Sequence, residues 1–301
     1  MFNGILDWFK GLPTEMQSAI ISASVTIILF VIGGLAKFIY EKHSLNYKMK
    51  REYYFEQRKK IKEILSKSKT PLIKSAEELN YRLWNLTSHI DERWHNVKEE
   101  NWKEKEKYYL RSSTYRLISF FFWTLKAEES IYSFDLKQAD KQDALYLKYI
   151  KTLKHFFCER ELLDELGYPV GSCSNHFYKD DLVKYCSYIQ ENNGTIDFKT
   201  FEEKFQKNYE SIRDVVVYIT NIESDPSNLN YNALKAFHLF LMLFLNKYGL
   251  DYHFTDKNKL IGLMQGKYKD IKIKRGLYSF LERNKVLTES KLIIDSLNLK
   301  K

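Results

Sequence analysis

Only 4 prolines, 11 glycines and 3 cysteines occur in 301 residues. So little glycine and proline argues against an all-β domain or a glycine-loop nucleotide fold, both of which need turn residues in quantity. No GxxxxGK[ST], GxGxxG or HExxH string is present, which removes the commonest nucleotide and zinc-protease readings. Cys158, Cys173 and Cys186 are odd in number, offer no paired disulfide framework, and suit a reducing cytoplasm.

One further lack is local. No charged residue falls between Glu15 and Lys37, leaving 21 uncharged positions. At a rise of about 1.5 Å per residue these span about 30 Å, the thickness of a bilayer's hydrocarbon core. A soluble core helix of that length would carry a polar stripe, whereas this one has only small Ser and Thr. A cleavable signal would need a basic start and a small-x-small site. Asp7 and Glu15 stand at the start, and Phe38, Ile39 and Tyr40 stand where cleavage would fall. The expectation is an uncleaved transmembrane helix over 16–40. The lead, 1–15, either lies at the interface through Phe2, Trp8 and Phe9 or is a frayed end.

Net charge is +9, but its distribution matters more than its size. Residues 37–69 hold 11 Lys or Arg against 4 Glu, a balance of +7. Residues 1–15 carry −1, so only +3 is left for 70–301. The positive-inside rule then puts the N-terminus outside and the long C-terminal part in the cytoplasm, at a bacterial inner membrane. The basic stretch is accounted for by topology and by attraction to anionic lipid, about 1 kcal/mol per Lys or Arg. It is no reason to expect DNA or RNA. Abundant Tyr, Phe, Lys, Asn and Ile reflect an AT-rich coding bias.

The pattern downstream is helical throughout. The basic stretch, 41–70, reads as a stalk ended by Pro71. Leu72, Ala76, Leu79, Leu83, Leu86 and Ile90 then form a 4-3-4-3-4 seam, fit for a helix of this chain or of a second copy. The run from Leu117 to Leu125 is apolar all round and too short to span, so it reads as a central buried helix. Helices are expected at 140–166, 179–192, 199–222, 230–248 and 277–297, with a loop, and a candidate domain break, at 167–178. The segment 268–276 reads as a short strand or basic turn. The fold class is all-α: anchor, stalk and a cytoplasmic bundle over 71–301.

Arg82 and His89 are seven apart and share a helix face beside the seam. A histidine there can act as general base toward a ribose 2′-hydroxyl, and an arginine can stabilise the phosphorane. The pair resembles the Arg-x(4–6)-His motif of HEPN-type ribonucleases, small all-α domains that cleave RNA as dimers without metal. That resemblance implies catalytic roles for Arg82 and His89 and RNA as partner. The chain departs from the family in having Leu83 where a polar residue follows the Arg. The competing reading is a solvated rim of a packed helix.

Other constellations are weaker. Around Gly194 an EF-hand register puts Ile189 and Thr200 where calcium needs carboxylates, so a glycine turn and a helix capped by Thr200, with Glu203 three residues on, is the better reading. Cys158, Cys173, His176 and Cys186 match no common zinc spacing. His155, His238 and His253 sit in or beside apolar runs, as core residues would. Glu128–Glu129 and Asp180–Asp181 read as helix-surface charge. The segment Tyr108–Leu125, with Ser112, Ser113, Thr114, Arg116 and a Phe-Phe-Phe-Trp run, is similar to bacterial helical proteins of little-known chemistry with an N-terminal membrane helix. Its hydroxyls and arginines imply a buried polar network. Some single-anchor helical proteins act in antiviral defence by oligomerising at the membrane. The leading reading is therefore a non-enzymatic effector that needs no cofactor or metal. It self-associates through anchor, stalk and seam, with other protein partners in scope. The alternatives are a tethered ribonuclease and an envelope scaffold.

Overall fold

A computed structural model describes residues 8–132, 141–168, 174–260 and 272–287. Among them the chain is almost wholly helical, and the sole strands are a two-residue pair. Two compact units divide at Lys59/Lys60.

Helix α1, Thr14–Ser88, is 75 residues long. Pro13 precedes it, its carbonyl accepting from the amides of Met16 and Gln17. Within the first unit every residue from 21 to 36 is exposed, and Ser18, Ser24 and Thr26 bond carbonyls of their own helix. One window of α1 is long and apolar enough to cross a membrane, with mean hydropathy 2.4.

In the second unit α1 passes straight through Pro71, contrary to the expected stop. An interior proline costs a helix about 3 kcal/mol. Leu72, Ala76 and Leu79 just beyond it are fully or almost fully buried, and about 1.5–3 kcal/mol per large buried apolar side chain offsets the loss. The whole seam, Leu72 to Ile90, is buried by this chain's own helices, so it is not left open for a second copy.

Helix α2, Tyr108–Tyr132, is the buried centre that the Leu117–Leu125 run implied. Around it pack α3 (Lys141–His155), α4 (Lys179–Ile189), α5 (Phe198–Lys207) and α6 (Arg213–Thr220). Helix α7, Leu229–Tyr248, is buried from Asn230 to Leu245. An aromatic cluster joins these elements: Phe157 lies 4.6 Å from Phe237 and 5.5 Å from Tyr218, centroid to centroid. Several of the tyrosines that composition assigned to coding bias lie in the core, Tyr149, Tyr185 and Tyr218 among them, while others such as Tyr40 and Tyr252 are exposed.

Several boundaries differ from expectation. The expected 140–166 helix breaks after His155 into short 3-10 turns, closed by Gly167 at φ 70°, a left-handed conformation suited to glycine. Helix α4 stops at Ile189, and Gln190–Glu191 pairs antiparallel with Gly194–Thr195. The next cap is Asp197, not Thr200: its carboxylate accepts the Thr200 amide at 2.7 Å. The expected 199–222 helix is split at Asn208, whose side chain takes the Glu210 amide and so competes with helix bonding. Helix α8 covers Lys274–Arg283 rather than 277–297, and it takes up the end of the 268–276 segment. The rest of both segments lies mainly outside the described residues. Gly276 has a packing reason, since a Cβ there would meet the Leu162 carbonyl at 2.6 Å.

Candidate functional site

The seam side chains of α1 turn inward and leave Arg82 half-buried and His89 exposed along one edge. The Arg82 guanidinium lies over the Tyr109 ring, 4.5 Å from its centroid. Tyr109 meets Trp94 edge-on at 5.5 Å, and Trp94 stacks on His89 at 5.2 Å. The two residues singled out by spacing are therefore linked by two aromatic rings. Trp94 reaches this place because Arg93, at φ 53°, turns the chain back after α1.

The protonation geometry is specific. His89 Nδ1 is 3.0 Å from the Asn85 carbonyl, so Nδ1 is a donor there, and in the neutral ring the lone pair is on Nε2. An exposed imidazole oriented in this way can accept a proton at Nε2. Arg82 has no ion pair among the described residues. Its charge opposes the burial that raises the Tyr109 hydroxyl above its ordinary range, and burial is the larger influence. Beside Arg82, Leu79, Leu83, Leu86 and Leu117 enclose an apolar cavity of about 20 Å³, too small for any substrate. A substrate at this edge would have to lie on the surface. The seam that would bring a second Arg–His pair close is covered by the chain itself.

The remaining polar candidates are structural. Arg111 is buried and held five ways: twice by Glu202 Oε1 and once each by the carbonyls of Trp102, Glu104 and Lys105. The sequence candidates named Arg116 in this helix and not Arg111. The hydroxyls of Ser112, Ser113, Thr114 and Thr124 bond carbonyls three or four residues back, so the expected network is a set of local bonds around one saturated arginine. Glu128 is not surface charge. It is buried and pairs with Lys154, while the exposed Glu129 pairs with Lys126 at 2.8 Å.

The histidines behave as core or boundary residues. His238 Nε2 bonds Asn80 Oδ1 at 2.9 Å, and His253 Nδ1 accepts the Leu250 amide at 2.8 Å, with Glu77 3.3 Å from Nε2. His95, absent from the sequence candidates, is buried and donates from Nε2 to the Ile222 carbonyl at 2.7 Å. Burial holds its pKa below the usual value. Burial, helped by Lys154 and Lys179, holds His155 at about 4.

Burial pushes the thiols of Cys158 and Cys186 up to about 12, so both are protonated at neutral pH, unlike nucleophilic thiolates. His176 Nδ1 pairs with the Tyr168 hydroxyl, and Cys173 lies outside the described residues. No three His, Cys, Asp or Glu converge as a metal site among the described residues.

Comparison with protein-family models, curated proteins and solved structures finds no match to this chain.

Proposed function

We propose that this chain is a single-pass protein of a bacterial inner membrane, N-terminus outside. In this reading residues 60–301 form a cytoplasmic, non-enzymatic interaction or effector module. The carrying observation is the exposed apolar stretch of α1. Twelve large apolar side chains from Met16 to Ile39 are each 48% or more exposed. At about 1.5–3 kcal/mol each, leaving them in water would cost on the order of 20 kcal/mol. That exceeds the whole stability of an ordinary domain, about 5–15 kcal/mol. A bilayer removes the cost, and the hydroxyls of Ser24 and Thr26 already bond their own helix, as lipid demands.

Orientation rests on the +7 charge of residues 37–69. Self-association is assigned to α1 before residue 60, since the seam is covered. Gly33 and Gly34 have open space around them, which permits close helix approach in lipid. Leu45, Met49 and Tyr53 continue an exposed apolar stripe. Antiviral defence, the process proposed, rests on the sequence resemblance alone.

The test is alkaline carbonate extraction of membranes, protease protection of a C-terminal tag, and mass measurement of the detergent-solubilised protein. Integral membrane residence, a tag cleaved only from the cytoplasmic side, and an oligomer are expected. A carbonate-soluble monomer overturns the reading. A small, fixed dimer would favour the envelope scaffold over a membrane-active effector, which should form larger assemblies.

The second reading, a tethered metal-independent ribonuclease, is favoured by the oriented Nε2 of His89 and by Arg82, which has no ion pair among the described residues. Its test is cleavage of end-labelled single-stranded RNA in EDTA by the full-length protein, beside His89→Ala and Arg82→Ala. Cleavage that both substitutions abolish would replace the first reading. Intact RNA would leave Arg82 and His89 as a helix rim.

A further inference from the structure

A basic cavity lies away from the Arg82–His89 edge, within the second unit. Its volume is about 470 Å³, inside the range of small-molecule sites. Three helices contribute one lysine each to its lining: Lys69 from α1, Lys141 from α3 and Lys247 from α7. With Asp143 as the one carboxylate, the lining side chains sum to +2. The positive end of α3 adds to this, because its first turn, Lys141 to Asp143, lines the cavity.

Tyr146 supplies an independent sign. It lines the same cavity at 4% exposure, and its hydroxyl has no hydrogen-bond partner among the described residues. Buried hydroxyls are almost always paired, so one left over beside three cations is suited to a ligand's acceptor oxygen. The wall is aromatic: Tyr146 meets Tyr248 at 5.0 Å, and Lys69 lies over the Tyr248 ring at 5.7 Å. Leu65 and Leu145 complete an apolar side.

We infer that this cavity binds a small phosphate-bearing molecule, its phosphate on Lys69, Lys141 and Lys247 and its body against Tyr146 and Tyr248. The phosphate can come from a soluble nucleotide or from a lipid headgroup, and the same chemistry serves both. Lysine acts as a point charge toward phosphate, and charge-assisted bonds of this kind are about twice as strong as neutral ones.

The test is lysine footprinting: the rate of acetylation at each lysine, read by mass spectrometry on the full-length protein. One arm uses detergent with ATP or with inorganic phosphate. The other uses nanodiscs of phosphatidylcholine with or without phosphatidylglycerol. Lys184, Lys204 and Lys207 line a separate basic hollow and serve as the internal control.

Selective slowing at Lys69, Lys141 and Lys247 is expected, with the control lysines unchanged. Slowing by ATP or phosphate assigns a soluble ligand, and slowing only with phosphatidylglycerol assigns a headgroup. Tyr146→Phe should weaken the protection about tenfold without lowering the melting midpoint, because the hydroxyl has no partner among the described residues to lose. No slowing in any arm, or equal slowing of the control lysines, overturns the proposal. So does a Tyr146→Phe protein whose protection is unaltered.

Discussion

Residues 16–36 and helix α7 are apolar stretches of about the same length with opposite surroundings. In the first, every side chain from 21 to 36 is exposed; in the second, every residue from Asn230 to Leu245 is buried. The difference lies in where polar groups find partners. Asn230 donates to the carbonyls of Tyr218 and Ser174. Asn232 bonds the Pro226 carbonyl and takes the Lys272 amide, and His238 bonds Asn80. Helix α7 therefore needs the rest of the protein around it. Ser24 and Thr26 need only their own backbone, so the first stretch is complete in a solvent that offers no hydrogen bonds.

The severest test places an acid in each stretch of the full-length protein. Leu241→Asp, at a fully buried position, should cost more than about 4 kcal/mol and abolish cooperative unfolding by tryptophan fluorescence. Leu29→Asp should leave the melting midpoint unchanged and instead reduce membrane insertion, by about 3 kcal/mol. Equal loss of thermal stability in both would erase the distinction.

A milder version removes polar groups. Asn230→Ala strands buried carbonyls and should cost about 2–3 kcal/mol in urea unfolding. Thr26→Ala loses one local bond, and its unfolding curve should overlay wild type. A similar midpoint shift for both would mean that the hydroxyls of the first stretch are also held by tertiary partners.

The smallest effect separates the units by pH. Burial holds His155 at about 4 in the folded protein, against about 6.5 for an unperturbed imidazole. The unfolded chain thus binds more protons between those values, and stability falls as pH drops from about 6.5 toward 4. With discounting for partial exposure the loss is about 1–2 kcal/mol. His155→Gln should flatten the pH dependence of the urea midpoint, leaving the part due to His95, whose pKa burial also lowers. An unchanged slope would place the acid sensitivity elsewhere.

Much of this was legible in advance because it depends on local period and composition. The membrane-length stretch, the buried Leu117–Leu125 run and the apolar seam are written in neighbouring residues. Pro71 misled because its local penalty is outweighed by burial of Leu72, Ala76 and Leu79 against distant helices. Glu128 misled because its partner, Lys154, is 26 residues away. At the candidate edge, spacing placed Arg82 and His89 on one face but carried no sign of Tyr109 or Trp94 between them. A left-handed residue at Arg93 brings Trp94 there.

The sequence by itself determined the all-helical class and one stretch able to cross a membrane, because helix period and apolar length are properties of consecutive residues. Only the tertiary structure decided that the seam closes on this chain, that Arg111 is a saturated strut, and that three lysines and Tyr146 share one cavity. Those outcomes depend on groups brought together from separate helices, and desolvation and hydrogen bonding act on neighbours in space, whatever their order along the chain.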